Sequence, residues 1–200
     1  MNQSIANTFI QRIMRSSRSI LAAAVATLGF SLAVGAQTTT QTGVGKGGSP
    51  HVKSTWSIGG ANVAIEYGRP YLKGRAESAL MPAGKPWRTG ADEATVITID
   101  QPLVIGTLKL AAGSYTLNTV PGPKTWELLV GKLGKPGQWG VPYDTALEIG
   151  RVPMKLDVAR VAAEQVTYSI DTAPTGGVLR IEWGTQSASV PFVVGKQKSK

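Results

Sequence analysis

The chain has 200 residues, 42% hydrophobic and 16% charged, a formal charge of +9, a single histidine and no cysteine. Imidazole or thiolate metal sites need several such ligands, and without thiols an exported protein must rely on core burial instead of disulfides. No metal and no cofactor is expected, and the scattered cations of the remaining chain, without a long Lys/Arg run, point away from nucleic acid.

Residues 1–36 read as a helical signal peptide: Arg12, Arg15 and Arg18 precede the apolar run SILAAAVATLGFSLAVGA, and Val34 and Ala36 stand where a signal peptidase reads. Its Ala/Gly-rich run and missing charged stop-transfer flank argue against a retained transmembrane anchor. Cleavage leaves 164 residues, one domain of ordinary size, with a charge of +6. The expected location is the bacterial periplasm or the exterior. Residues 37–50, QTTTQTGVGKGGSP, lack apolar periodicity and read as a disordered leader. The glycines around Lys46 do not have P-loop spacing.

Beyond Pro50 the dominant period is two. STWSI and NVAIEYG flank a GGA turn, and ATVITID, SYTLNTV, TWELLV, VPMKLDV, QVTYSI, GVLRIEW and SASVPFVV follow, mostly bounded by Gly, Pro, Asn or Asp. DVARVAAEQ is the longest helix-like stretch. The pattern predicts an all-β domain over 51–195: an antiparallel, jelly-roll-like sandwich of about eight to ten short strands, followed by a basic tail at 196–200. Trp56, Trp126, Leu128, Tyr168, Leu179, Ile181, Trp183 and Phe192 are assigned to its core.

One interval, Pro70 to Ala91, shows no alternation, and a loop that long is either functional or held by specific contacts. It is entered by EYGRPYLKGR and left by GKPWRTGADEAT. A ligand site for a small anion or a sugar would draw on Arg69, Lys73, Arg75, Trp87 and Arg88, with Asp92 or Glu93 orienting the arginines. The competing reading is a structural clasp, with Arg88 paired to Asp92 or Glu93 and Arg69 to Glu66. Asp92 and Glu93, as neighbours in a strand entry, are expected to diverge to opposite faces, and His51 to be a solvated residue at a strand start. A second loop, GKLGKPGQWGVPYD, carries Trp139 and Tyr143. Trp139 is read as a plug in the open end of the sandwich, ahead of a platform for sugar or peptide.

The segments YGRPYLKGR, GKPWRTGADEATVITID, LAAGSYTLNTVPG, WELLV, QWGVPYD and VLRIEWGTQSASVPF, in this order, resemble the DUF2911 family, exported bacterial proteins of unknown function. Ala111 and Asn118 depart from the family's usual Pro and Phe. The resemblance implies an exported, mainly β domain and carries no activity with it. Some members look to be labelled as asparagine synthetases or asparaginases, but this chain shows no glutaminase cysteine or threonine-nucleophile motif.

The function expected from the residues is therefore non-catalytic binding of a small anionic or carbohydrate ligand or of cell-envelope material. The alternatives are a hydrolase that uses a carboxylate from Glu66, Asp92 or Glu93 beside Arg88, and an assembly protein that pairs through a sheet edge.

Overall fold

The computed structural model describes residues 37–195, so the signal-peptide segment 1–36 and the basic tail 196–200 lie outside the described residues. Ten strands form it: β1 (Thr38–Val44), β2 (Pro50–Ile58), β3 (Ala61–Gly68), β4 (Thr95–Ile99), β5 (Leu103–Ile105), β6 (Leu108–Leu110), β7 (Gly113–Val120), β8 (Thr125–Lys132), β9 (Glu148–Ala173) and β10 (Gly176–Val194). All belong to one open antiparallel sheet in the order β1-β2-β3-β4-β7-β8-β9-β10-β5-β6.

The period-two reading holds because alternate residues of β2 (Val52, Ser54, Trp56, Ile58) and of β3 (Ala61, Val63, Ile65, Tyr67) face one buried side. Sandwich-like layering arises from two long strands. β9 pairs with β8 through Glu148–Lys155 and then, past Lys155, with β10, so the sheet continues across to its own inner face. There the Tyr67 and Tyr168 rings meet edge-on at 4.6 Å. The eight residues assigned to the core are all buried.

Two segments depart from expectation. The leader over 37–50 is not disordered: Thr38–Val44 adds β1 to the sheet, because an uncharged Thr/Gln run can satisfy its backbone against β2, with Thr39 Oγ1 2.8 Å from Ser54 Oγ. DVARVAAEQ is part of β9. A nine-residue helix would be marginal by itself, while the segment is continuous with paired strand on both sides. Its register against β10 slips around Gly184, and Val158 and Val161 are left 81% and 80% exposed.

The long loop is held to this frame at both ends and in the middle. Its middle is a short 3-10 turn, Glu77–Ala79, whose Glu77 carboxylate accepts from the Thr185 amide and hydroxyl and from Gln186 Nε2 in the β10 bulge. Gly184, with φ +59, makes room for it, since a Cβ there would meet Glu77 Oε1 at 1.8 Å. The Thr185 amide, first among these donors, holds the Glu77 carboxyl below its ordinary 4.5. A depressed acid contributes stability above its unfolded value and loses it as pH falls through the folded one. Glu77→Gln is therefore expected to flatten the decline in melting temperature below about pH 4.5 relative to the parent, as measured by thermal denaturation at stepped pH.

Candidate functional site

The first half of the loop runs onto β9. Arg69 Nε donates to the Val166 carbonyl (3.1 Å) and Nη2 to Thr167 Oγ1 (3.0 Å), while Gln165 Nε2 donates to the Arg69 carbonyl (3.1 Å). Arg75 folds back on its own turn, donating to the Leu72 and Tyr71 carbonyls at 2.9 and 2.7 Å. The Lys73 amide donates to Glu164 Oε1 (2.8 Å), and its ammonium lies 5.9 Å from the centre of the Tyr71 ring. The expected Arg69–Glu66 pair is absent. Glu66 points outward from β3 directly opposite Lys53 of β2 and pairs with it at 2.9 Å, because cross-strand register places those two side chains together.

The second half enters the core. Trp87 is buried, stacked on Trp183 at 4.9 Å and edge-on to Trp126 at 6.1 Å, and its backbone exchanges two hydrogen bonds with Thr119 of β7. It lies in the interior, apart from Arg69, Lys73 and Arg75. Thr89 follows at φ +54, a conformation rare for a β-branched residue. Four buried contacts hold it there: its hydroxyl reaches the Trp87 carbonyl and Thr119 Oγ1, and its carbonyl accepts from the Tyr168 and Thr95 hydroxyls. Burial raises the Tyr168 hydroxyl's pKa and so keeps it a donor.

Arg88 is aimed at backbone carbonyls, Gly90 (3.2 Å) and Asp92 (3.5 Å), and not at the carboxylates expected to orient it. Asp92 has φ +63, which breaks strand alternation. Asp92 and Glu93 therefore converge where divergence was expected, and both turn to His51: Asp92 Oδ2 lies 3.0 Å from Nε2 and Glu93 Oε2 3.4 Å from Nδ1. His51 is the residue that sequence reasoning misplaced. Its side chain is only 23% exposed, held between two carboxylates 41 and 42 positions away and beside the Gly45–Gly48 turn of the leader. A Cβ on Gly45 would meet Asp92 Oδ2 at 1.8 Å, so the absent side chain admits the carboxylate. Being the sole histidine was the one signal available. Among the described residues, no three His, Cys, Asp or Glu side chains are arranged to hold a metal ion.

This cluster borders a cavity of about 390 Å³ on the outer face of the sheet. Its floor is made of outward-pointing residues, among them Glu66 of β3, Thr98 of β4 and Ser114 of β7, and the segment Pro136–Gln138 lines its other side with His51 and Glu93. The volume falls in the range of about 300–1,000 Å³ common for ligand pockets. Thr98 and Ser114 hydroxyls bond each other at 2.9 Å across the strands. Gln138 Oε1 accepts from the Gly134 and Lys135 amides, while its Nε2 has no acceptor among the described residues.

Trp139, next to Gln138, is no plug: the residue is 51% exposed, and Trp87, Trp126 and Trp183 already fill the interior beneath the loop. The Arg88 guanidinium lies 5.8 Å from its ring centre, at cation–π distance. The structure thus splits the predicted set. Arg88, Asp92 and Glu93 stay together and gain His51, whereas Arg69, Lys73 and Arg75 clamp the loop and Trp87 packs the core.

No curated protein and no solved structure matches this chain. One family pattern, described as a protein of unknown function, matches residues 49–192, a span that holds the loop, His51 and all strands but β1 in their main length. The chain belongs to the DUF2911 family.

Proposed function

We propose that the protein works outside the cytoplasm as a non-catalytic binder of a small polyhydroxylated ligand, a carbohydrate or a piece of cell-envelope glycan, in the cavity beside His51. The observation that carries this reading is the cavity's chemistry. Carboxylates of Glu66 and Glu93, the hydroxyls of Thr98 and Ser114 and the Gln138 amide offer acceptors and donors around one concave space, the mixture that sugar hydroxyls require.

The anionic ligand considered from sequence fits this geometry less well. Arg75 and Arg88 direct guanidinium donors at backbone carbonyls, Arg69 directs its own at the Val166 carbonyl and the Thr167 hydroxyl, and Lys53 is paired with Glu66. A bidentate grip on an anion needs a free guanidinium fork. Hydrolysis is disfavoured for a related reason: Asp92 is engaged with His51, and Arg88 has no carboxylate partner to tune.

Thermal-shift titration of the purified protein with glucose, N-acetylglucosamine, citrate and phosphate tests the proposal. A sugar at a hundred times its Kd adds about 2.7 kcal/mol of stability, or about 5–10 °C in melting temperature for a chain of this size. Glu93→Gln is expected to weaken that shift, because an amide nitrogen replaces one acceptor oxygen. A shift with citrate or phosphate and none with the sugars would overturn the reading.

A further inference from the structure

Of the five tryptophans, Trp56, Trp87, Trp126 and Trp183 are buried and Trp139 alone presents its ring to solvent. An exposed indole on a wandering loop would mean little, but this loop is fixed. Trp139 forms a backbone bridge with Glu93, and the Gly140 amide donates to the Asp92 carbonyl at 3.1 Å. The Tyr143 hydroxyl donates to Glu148 Oε2, a carboxylate that Arg151 also grips at 2.7 and 3.0 Å, and Asp144 Oδ1 accepts from the Ala146 amide at 2.9 Å. The backbone that carries the ring is therefore held before any ligand arrives, and the Arg88 guanidinium lies 5.8 Å from the ring centre, which removes much of the ordering cost of binding.

Trp139 borders a second hollow, about 610 Å³, with Pro142 and Leu147 as further apolar wall and Lys135, Gln138 and Asp144 as polar rim. Gln138 lines this hollow and the His51 cavity alike, so the two adjoin at this residue. The Gln138 side-chain Oε1 is held by the Gly134 and Lys135 amides, and its Nε2 is left to serve whatever spans the gap.

From this continuity we infer that the ligand is a glycan chain and not a single sugar: one ring occupies the His51 cavity, the chain crosses Gln138, and a following ring lays its C–H face on Trp139. The inference rests on the carbohydrate reading above and extends it. A pyranose ring has an apolar C–H face and a rim of hydroxyls, which matches a flat indole bounded by Lys135, Gln138 and Asp144. An anion has no such face, and the guanidinium beside Trp139, that of Arg88, donates to the Gly90 and Asp92 carbonyls.

Glucose and N-acetylglucosamine are titrated calorimetrically in parallel with cellotetraose and chitotetraose, against the parent protein, Glu93→Gln, Trp139→Ala and Trp139→Phe. Iodide quenching of tryptophan fluorescence is the second readout, since only Trp139 is open to the quencher. Expected is a tetramer that binds about tenfold more tightly than its monomer, protects Trp139 from iodide, and falls back to the monomer's affinity in Trp139→Ala. Trp139→Phe, which keeps an aromatic face, should lie between the two, and it decides the matter if the alanine variant does not fold. Glu93→Gln should weaken monomer and tetramer alike. Equal affinity for monomer and tetramer, with no iodide protection, would overturn the glycan-chain inference and leave the cavity reading standing. No binding by any of the four sugars would remove both.

Discussion

Trp87→Ala is expected to lower the unfolding free energy by about 3–5 kcal/mol, the usual cost of emptying a large aromatic site in a core. Although Trp87 belongs to a loop, its ring stacks on Trp183 and meets Trp126 edge-on, and both partners are fully buried. Removing the indole strips contacts from two further aromatics as well as its own area from the interior. The melting temperature should drop by about 6–20 °C for a chain of this size. Urea denaturation checks the claim: the midpoint should move with an unchanged slope. A loss under about 1 kcal/mol would instead resemble a surface substitution, and would mean that the tryptophan of this strap, the Pro70 to Ala91 loop, does not hold the two layers together.

The second large effect is placed at Gly68, the last residue of β3. The Ala91 amide donates to its carbonyl at 3.2 Å, and a Cβ on Gly68 would lie 2.4 Å from the Ala91 carbonyl oxygen and 3.0 Å from its carbon. Backbone, unlike the end of a flexible side chain, cannot swing aside. Gly68→Ala is expected to push the returning strap off β3 and to cost about 1–3 kcal/mol, the range for overpacking. Its second consequence is local. Asp92 follows Ala91 directly, so its 3.0 Å contact with His51 should open. The imidazole resonances in a proton–nitrogen NMR spectrum report that contact, and sugar binding should fall with it. Unchanged His51 resonances and an unchanged melting temperature would show that the strap is not seated flush on this glycine.

The two halves of the strap were not equally legible. RPYLKGR and WRTGADEAT announced themselves by composition, but the ion pairs expected of a clasp, Arg88 with Asp92 or Glu93 and Arg69 with Glu66, do not form. Sequence spacing suggested Arg–carboxylate pairs within the loop. The arginines instead find carbonyl oxygens, on β9 for Arg69 and on the loop itself for Arg75 and Arg88. A carbonyl is present at every residue and so leaves no mark in a sequence. The convergence of Asp92 and Glu93 was hidden for another reason: alternation predicts divergence, and only the left-handed turn at Asp92, stabilised by contacts around Thr89, reverses it. Trp139 was misread as a plug because a sequence cannot tell that three other indoles already occupy the space below.

What the chain's own order of residues determined is the class of structure and the identity of its interior. Period-two alternation, turn residues at strand ends and the large apolar side chains are local properties, and each acts within a few positions of itself. The tertiary structure alone decided that both layers are one sheet, that β1 joins it, and that His51 meets two acids from a loop some forty positions away. Those outcomes depend on which surfaces become neighbours after long β9 and β10 carry the sheet over onto itself. Contacts of that kind are selected by burial and hydrogen bonding between distant segments, and no short window of sequence contains both partners.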